Sequence, residues 1–497
     1  MKARLLALDQ GTTSSRAVLY TTDGETLAIR SRPLTQHYPR PGWVEQDAEE
    51  ILASQLDAVR EVLSVTGTEA ADVAAIGITN QRETVVVWDR KIGKPVHNAI
   101  VWQCRRTSDL CNRWRDEGIE PMLREKTGLL ADAYFSGTKI HWLLEHVPGL
   151  AARAQRGELL AGTIDSWLVW HLTGGKTHVT DCSNASRTLL YNIHTHRWDE
   201  ELLSLMGVPA SMMPRVVPSS GRVGETDPAL FGAAIPICGM AGDQQAALYG
   251  QGCRLPGSVK NTYGTGCFIL MNTGNTPVKS QNRLLTTIAW DLGKGPVYAL
   301  EGSIFNAGSA IQWLRDSLQL IASAPEADRL AESVPDAGGA FFVPAFTGLG
   351  APHWDMYARG AIFGLTRGTT RAHMARAVLE SIAYQSRDVF DAMVQDAHQP
   401  IRQLRVDGGA SNSDVLMQFQ ADLIGQEVLR PLNIETTAAG AAALAGLAAG
   451  VMSADAEAPG CAVGRVFHPA MDKKEASRLQ EAWHKAVKRA MNWEVPS

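Results

Sequence analysis

The fold is decided by the stretch Leu5-Leu-Ala-Leu-Asp-Gln-Gly-Thr-Thr-Ser-Ser-Arg-Ala-Val-Leu-Tyr20, in which two apolar, strand-like runs flank a turn of glycine and hydroxyl residues. The same pattern returns near the middle of the chain in Val259-Lys-Asn-Thr-Tyr-Gly-Thr-Gly-Cys-Phe-Ile-Leu-Met271. A pattern that repeats within one chain indicates a repeated structural unit. We therefore predict an α/β protein made of two related halves, with a ligand held between them.

The turns of these two hairpins suit the binding of phosphate. Backbone N–H groups and hydroxyls in such a turn can donate to phosphate oxygens, and a carboxylate at the entry, Asp9, can hold hydrated Mg²⁺. An ordinary hairpin with a polar turn would explain the glycine and the hydroxyls. It would not explain why an acid, three hydroxyls and Arg16 occur together.

A candidate catalytic carboxylate, Asp243, lies close to the midpoint of the chain. It follows the strand-like run 235–238 and a turn of small residues, and precedes the helix-favouring sequence Gln-Gln-Ala-Ala-Leu. This arrangement projects Asp243 from the carboxyl end of a strand, where open α/β sheets bind ligands. A carboxylate there can accept the proton of an alcohol that attacks a phosphoryl group. The alternative is a helix N-cap, a frequent role of aspartate, although the other motifs favour catalysis.

Further polar and aromatic residues follow predicted strands or precede predicted helices. Arg82 and Glu83 come after the buried-strand candidate 74–79, where they can bind a polyhydroxy ligand or form an ordinary surface ion pair. Trp102 can cover the C–H face of a sugar-like ligand or pack in the core. Tyr134 can place its hydroxyl in a cleft or pack in the core as well.

Composition and charge narrow the class of protein. The length of 497 residues predicts two or three domains. The net charge of -5 and pI near 6.2 give no electrostatic reason to expect binding to nucleic acid or to an anionic membrane. Seven cysteines without a C-x-x-C pair indicate reduced thiols in the cytoplasm. The longest run of small and apolar residues, 438–451, is too short to span a bilayer, so we predict a soluble protein.

Two common nucleotide-binding motifs are absent from the sequence. No G-x-G-x-x-G and no H-R-D occurs, so neither a Rossmann dinucleotide site nor the protein-kinase fold is supported. The run 174–177, Gly-Gly-Lys-Thr, matches the end of a Walker A loop, but Trp170 occupies the position of its first glycine.

Taken together, these segments resemble the FGGY carbohydrate kinase family of the actin-like ATPase superfamily. The two hairpins, the turn 241–248 and the run Val406-Asp-Gly-Gly409 carry the resemblance. Two longer strings, 134–146 and 360–368 followed by 373–380, fit signatures of the family. The resemblance extends from about residue 5 to about residue 493. It implies two actin-like (ribonuclease H-like) ATPase domains flanking a central cleft. Residues 1–246 would bind glycerol and phosphate, and residues 247–497 would bind the nucleotide.

Within the family, three segments are most similar to members that phosphorylate glycerol, namely 80–84, 100–106 and 260–268. The resemblance implies transfer of the γ-phosphoryl group of ATP, with Mg²⁺, to glycerol to give sn-glycerol 3-phosphate. Asp243 would be the general base. By the same resemblance, the hydroxyls of glycerol would be held by Arg82, Glu83, Tyr134, Asp243 and Gln244, and its carbon skeleton by Trp102 and Phe268.

The resemblance also implies positions for the nucleotide and the metal. Asp9 would reach Mg²⁺ through water. The phosphates would be bound by Thr12, Thr13, Ser14, Arg16 and Thr265, and the nucleoside by Gly308, Gln312, Gly409 and Ser413. The family often has Asn near the adenine where this chain has Ser413. We also expect a homo-oligomer, either a dimer or a tetramer.

Two other functions stay open on the sequence, and both concern the same fold. One is an FGGY kinase for a longer polyol or sugar, such as xylulose or gluconate. The bulky side chains of Trp102, Tyr134 and Phe268 favour a small pocket and so argue against this function. The other is an actin-like ATPase without kinase activity, acting as a chaperone or filament, which would have no use for Arg82, Glu83 and Asp243 together.

The sequence also predicts that two regulatory mechanisms found in members of the family do not operate in this protein. Some members of the family are inhibited by fructose 1,6-bisphosphate through a Gly-rich loop with Arg, but here that loop reads Gly232-Ala-Ala234. Others are activated by phosphorylation of a histidine, and none lies between Ser219 and Gly239. We expect neither control.

Overall fold

Two mixed β-sheets organise residues 3–494, which are the part of the chain described by a computed structural model. The strands of the first half are β1 (Arg4–Gln10), β2 (Ser14–Thr21), β3 (Thr26–Pro33), β4 (Glu45–Gln46), β5 (Val73–Asn80), β6 (Val85–Asp89), β7 (Ala99–Ile100), β8 (Leu159–Thr163), β9 (Val179–Asp181), β10 (Tyr191–Asn192), β11 (Arg197–Trp198), β12 (Arg215–Val217), β13 (Ser220–Glu225) and β14 (Pro236–Gly242). Those of the second half are β15 (Ser258–Tyr263), β16 (Cys267–Gly274), β17 (Leu285–Asp291), β18 (Pro296–Ile304), β19 (Phe341–Val343), β20 (Ala361–Phe363), β21 (Gln403–Asp407), β22 (Val428–Pro431) and β23 (Val463–Phe467).

Helices cover and connect the two sheets. In chain order they are α1 (Ala48–Thr66), α2 (Ser108–Asp116), α3 (Glu120–Thr127), α4 (Ser136–His146), α5 (Leu150–Gln155), α6 (Ile164–Leu172), α7 (Cys182–Ala185), α8 (Glu200–Leu205), α9 (Pro228–Phe231), α10 (Asp243–Gly250), α11 (Gly308–Asp316), α12 (Ala324–Glu332), α13 (Arg371–Ala397), α14 (Asp414–Ile424), α15 (Thr436–Ala448) and α16 (Lys473–Ala490). Within residues 3–494, none of these helices has both the length and the apolar content that a bilayer crossing needs.

The two sheets have the same topology at their centres. The first lobe is built on the sheet with strand order β13-β14-β5-β1-β2-β3, and the second on the sheet β17-β18-β16-β15-β21-β22-β23. In the first, β1 pairs antiparallel with β2 and parallel with β5, which is parallel to β14. In the second, β15 pairs antiparallel with β16 and parallel with β21, which is parallel to β22. The shared order and directions confirm the predicted repeat of two related halves.

The lobes meet through two helices rich in small residues, α10 and α15. Although α15 belongs to the second half of the sequence, it packs on the sheet of the first lobe. A Cβ atom on Gly77 of β5 would lie 2.1 Å from the carbonyl oxygen of Ala441, and one on Gly440 would lie 1.9 Å from that of Ala246. Only glycine permits these approaches of backbone to backbone. The backbone of α15 therefore packs directly against β5 and α10.

The predicted domain boundary between residues 246 and 247 falls inside α10, and the second sheet begins at Ser258. The boundary stays a prediction, and its outer limits, residues 1 and 497, lie outside the described residues.

The parallel strands bring the predicted site segments to one edge of the first sheet. Gln10, Asn80 and Gly242 are the last residues of β1, β5 and β14, and they are neighbours in the register of the sheet. Because the carboxyl ends of parallel strands meet at the same edge, the segments that follow them line one cleft. These segments are the first Gly-Thr turn, the Arg82–Glu83 pair and Asp243.

Candidate active site

Arg82 lies at the centre of the site and is 2% exposed. Its two terminal nitrogens donate to the two carboxylate oxygens of Glu301, at 2.5 and 3.0 Å. Its Nε lies 3.2 Å from Oδ1 of Asp243, and Nη2 donates to the hydroxyl of Tyr134 at 3.3 Å. The structure thus brings together three of the residues predicted to bind the substrate.

Asp243 opens α10, and its side chain is 31% exposed to the cleft. The N-cap position belongs to Gly242, so the alternative role of Asp243 as the N-cap is not realised. Burial raises the pKa of Asp243, while the charge of Arg82 acts to lower it. Raised pKa values of carboxylates in a cleft are typical of general bases.

Two buried charged residues outside the predicted set hold Arg82 and Glu83. Arg187 donates from Nε to Oε1 of Glu83 at 2.6 Å and from Nη2 to Oε1 of Glu301 at 2.9 Å. Burial alone would raise the pKa of Glu301, but the guanidinium groups of Arg187 and Arg82 lower it to about 2. Glu83 has a left-handed backbone with φ of 62°, which is uncommon outside glycine. One signal in the sequence points to Glu301, which is the one charged residue of strand β18.

A third buried charged residue outside the predicted set is Lys260, which is fully buried on β15. Its ammonium group donates to Oε1 of Gln244 and, at 2.8 Å, to the hydroxyl of Thr262. Burial lowers the pKa of Lys260 to about 8. Because Oε1 of Gln244 is occupied, the amide nitrogen of Gln244 is the group left to donate to a ligand.

Three aromatic rings of the predicted substrate pocket lie together, namely Trp102 and Phe268, which are predicted to face the carbon skeleton, and Tyr134, which is predicted to bind a hydroxyl. Trp102 meets Tyr134 and Phe268 edge to face, with ring centroids 5.5 and 6.3 Å apart. Phe268 comes from the second lobe and the other two from the first. Nε1 of Trp102 donates to the hydroxyl of Thr12 at 2.9 Å, which joins this aromatic wall to the first Gly-Thr turn.

Asp9 and Arg16 face each other across the first hairpin, with Arg16 Nη1 3.8 Å from Asp9 Oδ2. Arg16 also forms an ion pair with Glu435, which precedes α15. Burial raises the pKa of Asp9 to about 6, Arg16 acts to lower it, and the charges of Glu435 and Asp243 raise it further. A further cation beside Asp9 would relieve this cost of ionisation.

The chemistry of this edge fits Mg²⁺. Among residues 3–494 no cluster of three or more metal-binding His, Cys, Asp or Glu side chains occurs. Mg²⁺ does not require one, because it is commonly bound by one or two carboxylates together with water and substrate phosphates. Asp9 supplies such a carboxylate next to the Gly-Thr turn.

The second hairpin and α11 meet at the predicted nucleotide side of the cleft. The backbone N–H of Gly308 donates to the carbonyl of Gly264 at 3.0 Å, and that of Ser309 to the carbonyl of Thr265 at 3.1 Å. Thr265 and Gly308 are therefore neighbours, whereas Gln312 is exposed one turn further along α11.

The remaining predicted nucleotide contacts lie on the loop after β21 and on the first hairpin. Gly409 opens a short 3-10 helix, and Ser413 caps α14 by accepting from the N–H of Leu416 at 3.1 Å. The hydroxyl of Ser413 also donates to Asp328, so it is engaged within the protein. On the first hairpin, Thr13 is exposed and Ser14 half-buried. The ligand-binding roles of all these residues stay predictions.

Duplicated lobes with a carboxylate, Asp243, and an arginine, Arg82, in the cleft between them are typical of one class of phosphotransferase. The chain belongs to the FGGY family of carbohydrate kinases, whose N-terminal domain matches residues 4–250 and whose C-terminal domain matches residues 259–449. The predicted family and fold class are confirmed.

Its relatives within the family are named more narrowly. The chain is 59% identical over 494 residues to the glycerol kinase of Halorhodospira halophila, covering 99% of this chain and 97% of that protein. It is 58% identical over 493 residues to the glycerol kinase of Symbiobacterium thermophilum, covering 99% of each. The crystal structure of Plasmodium falciparum glycerol kinase with ADP superposes with a TM-score of 0.94 at 36% identity, covering 98% of each chain.

Proposed function

We propose that the chain transfers the γ-phosphoryl group of ATP to a terminal hydroxyl of glycerol, giving sn-glycerol 3-phosphate and ADP. The observation that carries the proposal is the position of Asp243, 3.2 Å from Arg82 and exposed to a cleft walled by three aromatic rings. The identity of 59% over nearly the whole chain to a glycerol kinase supports it.

Glycerol would be bound by a small set of fixed donors and acceptors. Arg82 and the amide nitrogen of Gln244 donate, and the carboxylates of Glu83 and Asp243 accept. Each hydrogen bond to a charged group is worth roughly 1.5–3 kcal/mol, so the set can bind a three-carbon triol specifically. The aromatic wall limits the length of the ligand. This arrangement favours glycerol over xylulose and gluconate.

Asp243 would act as the general base. It accepts the proton of the attacking hydroxyl as the phosphoryl group is transferred, and its raised pKa brings its basicity closer to that of a group working at neutral pH. Arg82 holds the carboxylate in place and keeps it ionised. Closure of the lobes excludes water, which would otherwise compete as the phosphoryl acceptor.

The phosphates of ATP would lie between the two Gly-Thr turns, with Thr12, Thr13, Ser14 and Arg16 on one side and Thr265 on the other. Gly308, Gln312, Gly409 and Ser413 would line the path to the nucleoside. Mg²⁺, held through Asp9 and water, would supply positive charge to the phosphate oxygens in the transition state. The hydroxyls, backbone N–H groups and Arg16 stabilise the same charge, which in loose phosphoryl transfer matters more than the base.

The setting we propose is the cytoplasm, because all seven cysteines are free and buried and none forms a disulfide. We also propose a homo-oligomer, as expected from the family resemblance. Light scattering of the purified chain would measure its mass in solution, and a monomer would contradict this part of the proposal.

The test is an assay that couples ADP release to a colour change, with the acceptors glycerol, dihydroxyacetone, xylulose, gluconate and none at matched concentrations. We expect turnover that depends on glycerol, with kcat/KM for xylulose and gluconate lower by at least about 100-fold. ATP hydrolysis indifferent to the acceptor would favour an ATPase without kinase activity. Preference for xylulose or gluconate would favour a kinase for longer substrates.

A further inference from the structure

Four charged side chains form a buried network behind the substrate pocket. They are Arg82, Glu83 and Arg187 of the first lobe and Glu301 of the second, and none is more than 2% exposed. We call this set the buried charge network. Its two positive and two negative charges balance, and every member is bonded to at least one of opposite sign.

The network fixes which atoms of Arg82 and Glu83 remain for a ligand. Glu301 accepts from both terminal nitrogens of Arg82, which directs Nε towards Asp243. Arg187 donates to Oε1 of Glu83, which leaves Oε2 as the acceptor for a ligand. Without Glu301 the guanidinium group could rotate, and without Arg187 the Glu83 carboxylate could rotate.

A buried charge network is not needed to hold a fold together, which argues for a further role. Burying four charges carries a large desolvation penalty, and apolar residues in place of a buried ion-pair network are often neutral or stabilising. In addition, Nη1 of Arg187 is buried without a hydrogen-bond partner in the described part of the chain. Unsatisfied buried donors are rare and call for an explanation.

We propose that Glu301 and Arg187 are positioning residues that set the hydrogen-bond directions of Arg82 and Glu83 towards the acceptor substrate. The inference rests on the proposed glycerol kinase activity and deepens it. Because Glu301 comes from the second lobe, the acceptor site on the first lobe is complete only when the two lobes are packed together. Changing Glu301 or Arg187 should therefore alter the affinity for the acceptor and leave the affinity for the nucleotide nearly unchanged.

The test compares Glu301→Gln and Glu301→Asp with wild type, using steady-state kinetics in glycerol and in ATP. Glutamine keeps the size but loses the charge and one acceptor, whereas aspartate keeps the charge and loses reach. The matched control is Glu380→Gln, since Glu380 is also buried on the second lobe and paired with an arginine, Arg376, at 2.7 Å. The thermal midpoint of each variant reports its structural cost.

For Glu301→Gln we expect KM for glycerol to rise roughly 10- to 100-fold, with KM for ATP within about threefold of wild type. Glu301→Asp should recover part of the loss. The control should lower the thermal midpoint without changing KM for glycerol. Should Glu301→Gln fail to fold, Arg187→Lys takes its place, because lysine cannot reach both Glu83 and Glu301 at once, and the same split between the two KM values is expected.

Equal rises of both KM values, or an unchanged KM for glycerol in folded variants, would overturn the inference while leaving the proposed function intact. The wild-type measurement separates the two claims. A wild-type enzyme whose turnover does not depend on glycerol overturns the proposed function itself, whatever the variants do.

Discussion

Replacing the proposed base gives the most direct test of the mechanism. In Asp243→Asn the side chain keeps its size and one acceptor oxygen, so the 2.7 Å hydrogen bond from the N–H of Gln244 to Oδ1 can persist. What is lost is the negative charge 3.2 Å from Nε of Arg82 and the ability to take up a proton. Arg82 remains anchored by both oxygens of Glu301, so the pocket should keep its shape.

The two losses have different sizes. Removing a general base costs about 10²- to 10⁴-fold in turnover, which corresponds to roughly 3–5 kcal/mol of transition-state stabilisation. Exchanging a charged acceptor for a neutral one weakens a hydrogen bond by about 1 kcal/mol, or about fivefold in KM for glycerol. The expected signature is a large fall in kcat with a small rise in KM.

The assay is the coupled measurement of ADP release at saturating ATP over a range of glycerol concentrations and pH values. Asp165→Asn is the matched control, because Asp165 is buried in the first lobe and accepts from Thr180 at 2.7 Å, away from the site. It should lower stability and leave kcat within about threefold of wild type. Thermal unfolding of both variants shows whether a loss of folded protein contributes.

The pH profile gives an independent check. Burial raises the pKa of Asp243 above its ordinary value of 3.8, and the base works only when ionised. Wild-type kcat should therefore fall as the pH drops through that raised pKa, and kcat of the variant should not show this fall. A variant that turns over within about threefold of wild type with an unchanged pH profile would remove Asp243 from the role of base.

Three further predictions concern packing, acid stability and regulation. Gly440→Ala should destabilise by about 1–3 kcal/mol in chemical denaturation, despite the better helix propensity of alanine, because the new Cβ would lie 1.9 Å from the carbonyl of Ala246. Gly221→Ala, whose Cβ would meet no atom within 4 Å, is its control, and equal stability of the two variants would contradict this reasoning. The pKa of Glu301 falls from 4.5 to about 2 on folding. Ionisation of Glu301 should therefore add roughly 3 kcal/mol to the free energy of unfolding above pH 4.5, and this contribution is lost as the pH drops towards 2. The difference in free energy of unfolding between wild type and Glu301→Gln should shrink as the pH falls from 4.5 to about 2. A difference that stays constant would refute this prediction. Fructose 1,6-bisphosphate should not inhibit, since the loop Gly232-Ala-Ala234 lacks arginine, and a fall in initial rate at millimolar concentrations would contradict this.

The parts of the fold that depend on local sequence were predictable. Apolar runs around a Gly-Thr turn became β1–β2 and β15–β16, and small residues after a strand brought Asp243 to the start of α10. Strand, turn and helix signals of this kind act over a few residues, so one sequence suffices to find them.

The buried partners of the site were not predictable in the same way. Glu301 lies 219 positions from Arg82 and 114 positions from Arg187. Their contacts exist only after two lobes have folded and met, and no spacing in the sequence encodes them. The hydrogen bond from Trp102 to Thr12 spans 90 positions and was missed for the same reason, although both residues were expected in the site.

The position of α15 has a consequence for the order in which the molecule is made. The helix begins at Thr436, yet it covers the sheet formed by strands near the start of the chain. During synthesis, the face of that early sheet that α15 covers stays bare until residues 436–448 have been made. The first lobe therefore completes its packing only after the second half of the sequence has been made, and until then it presents apolar surface of the kind that promotes aggregation.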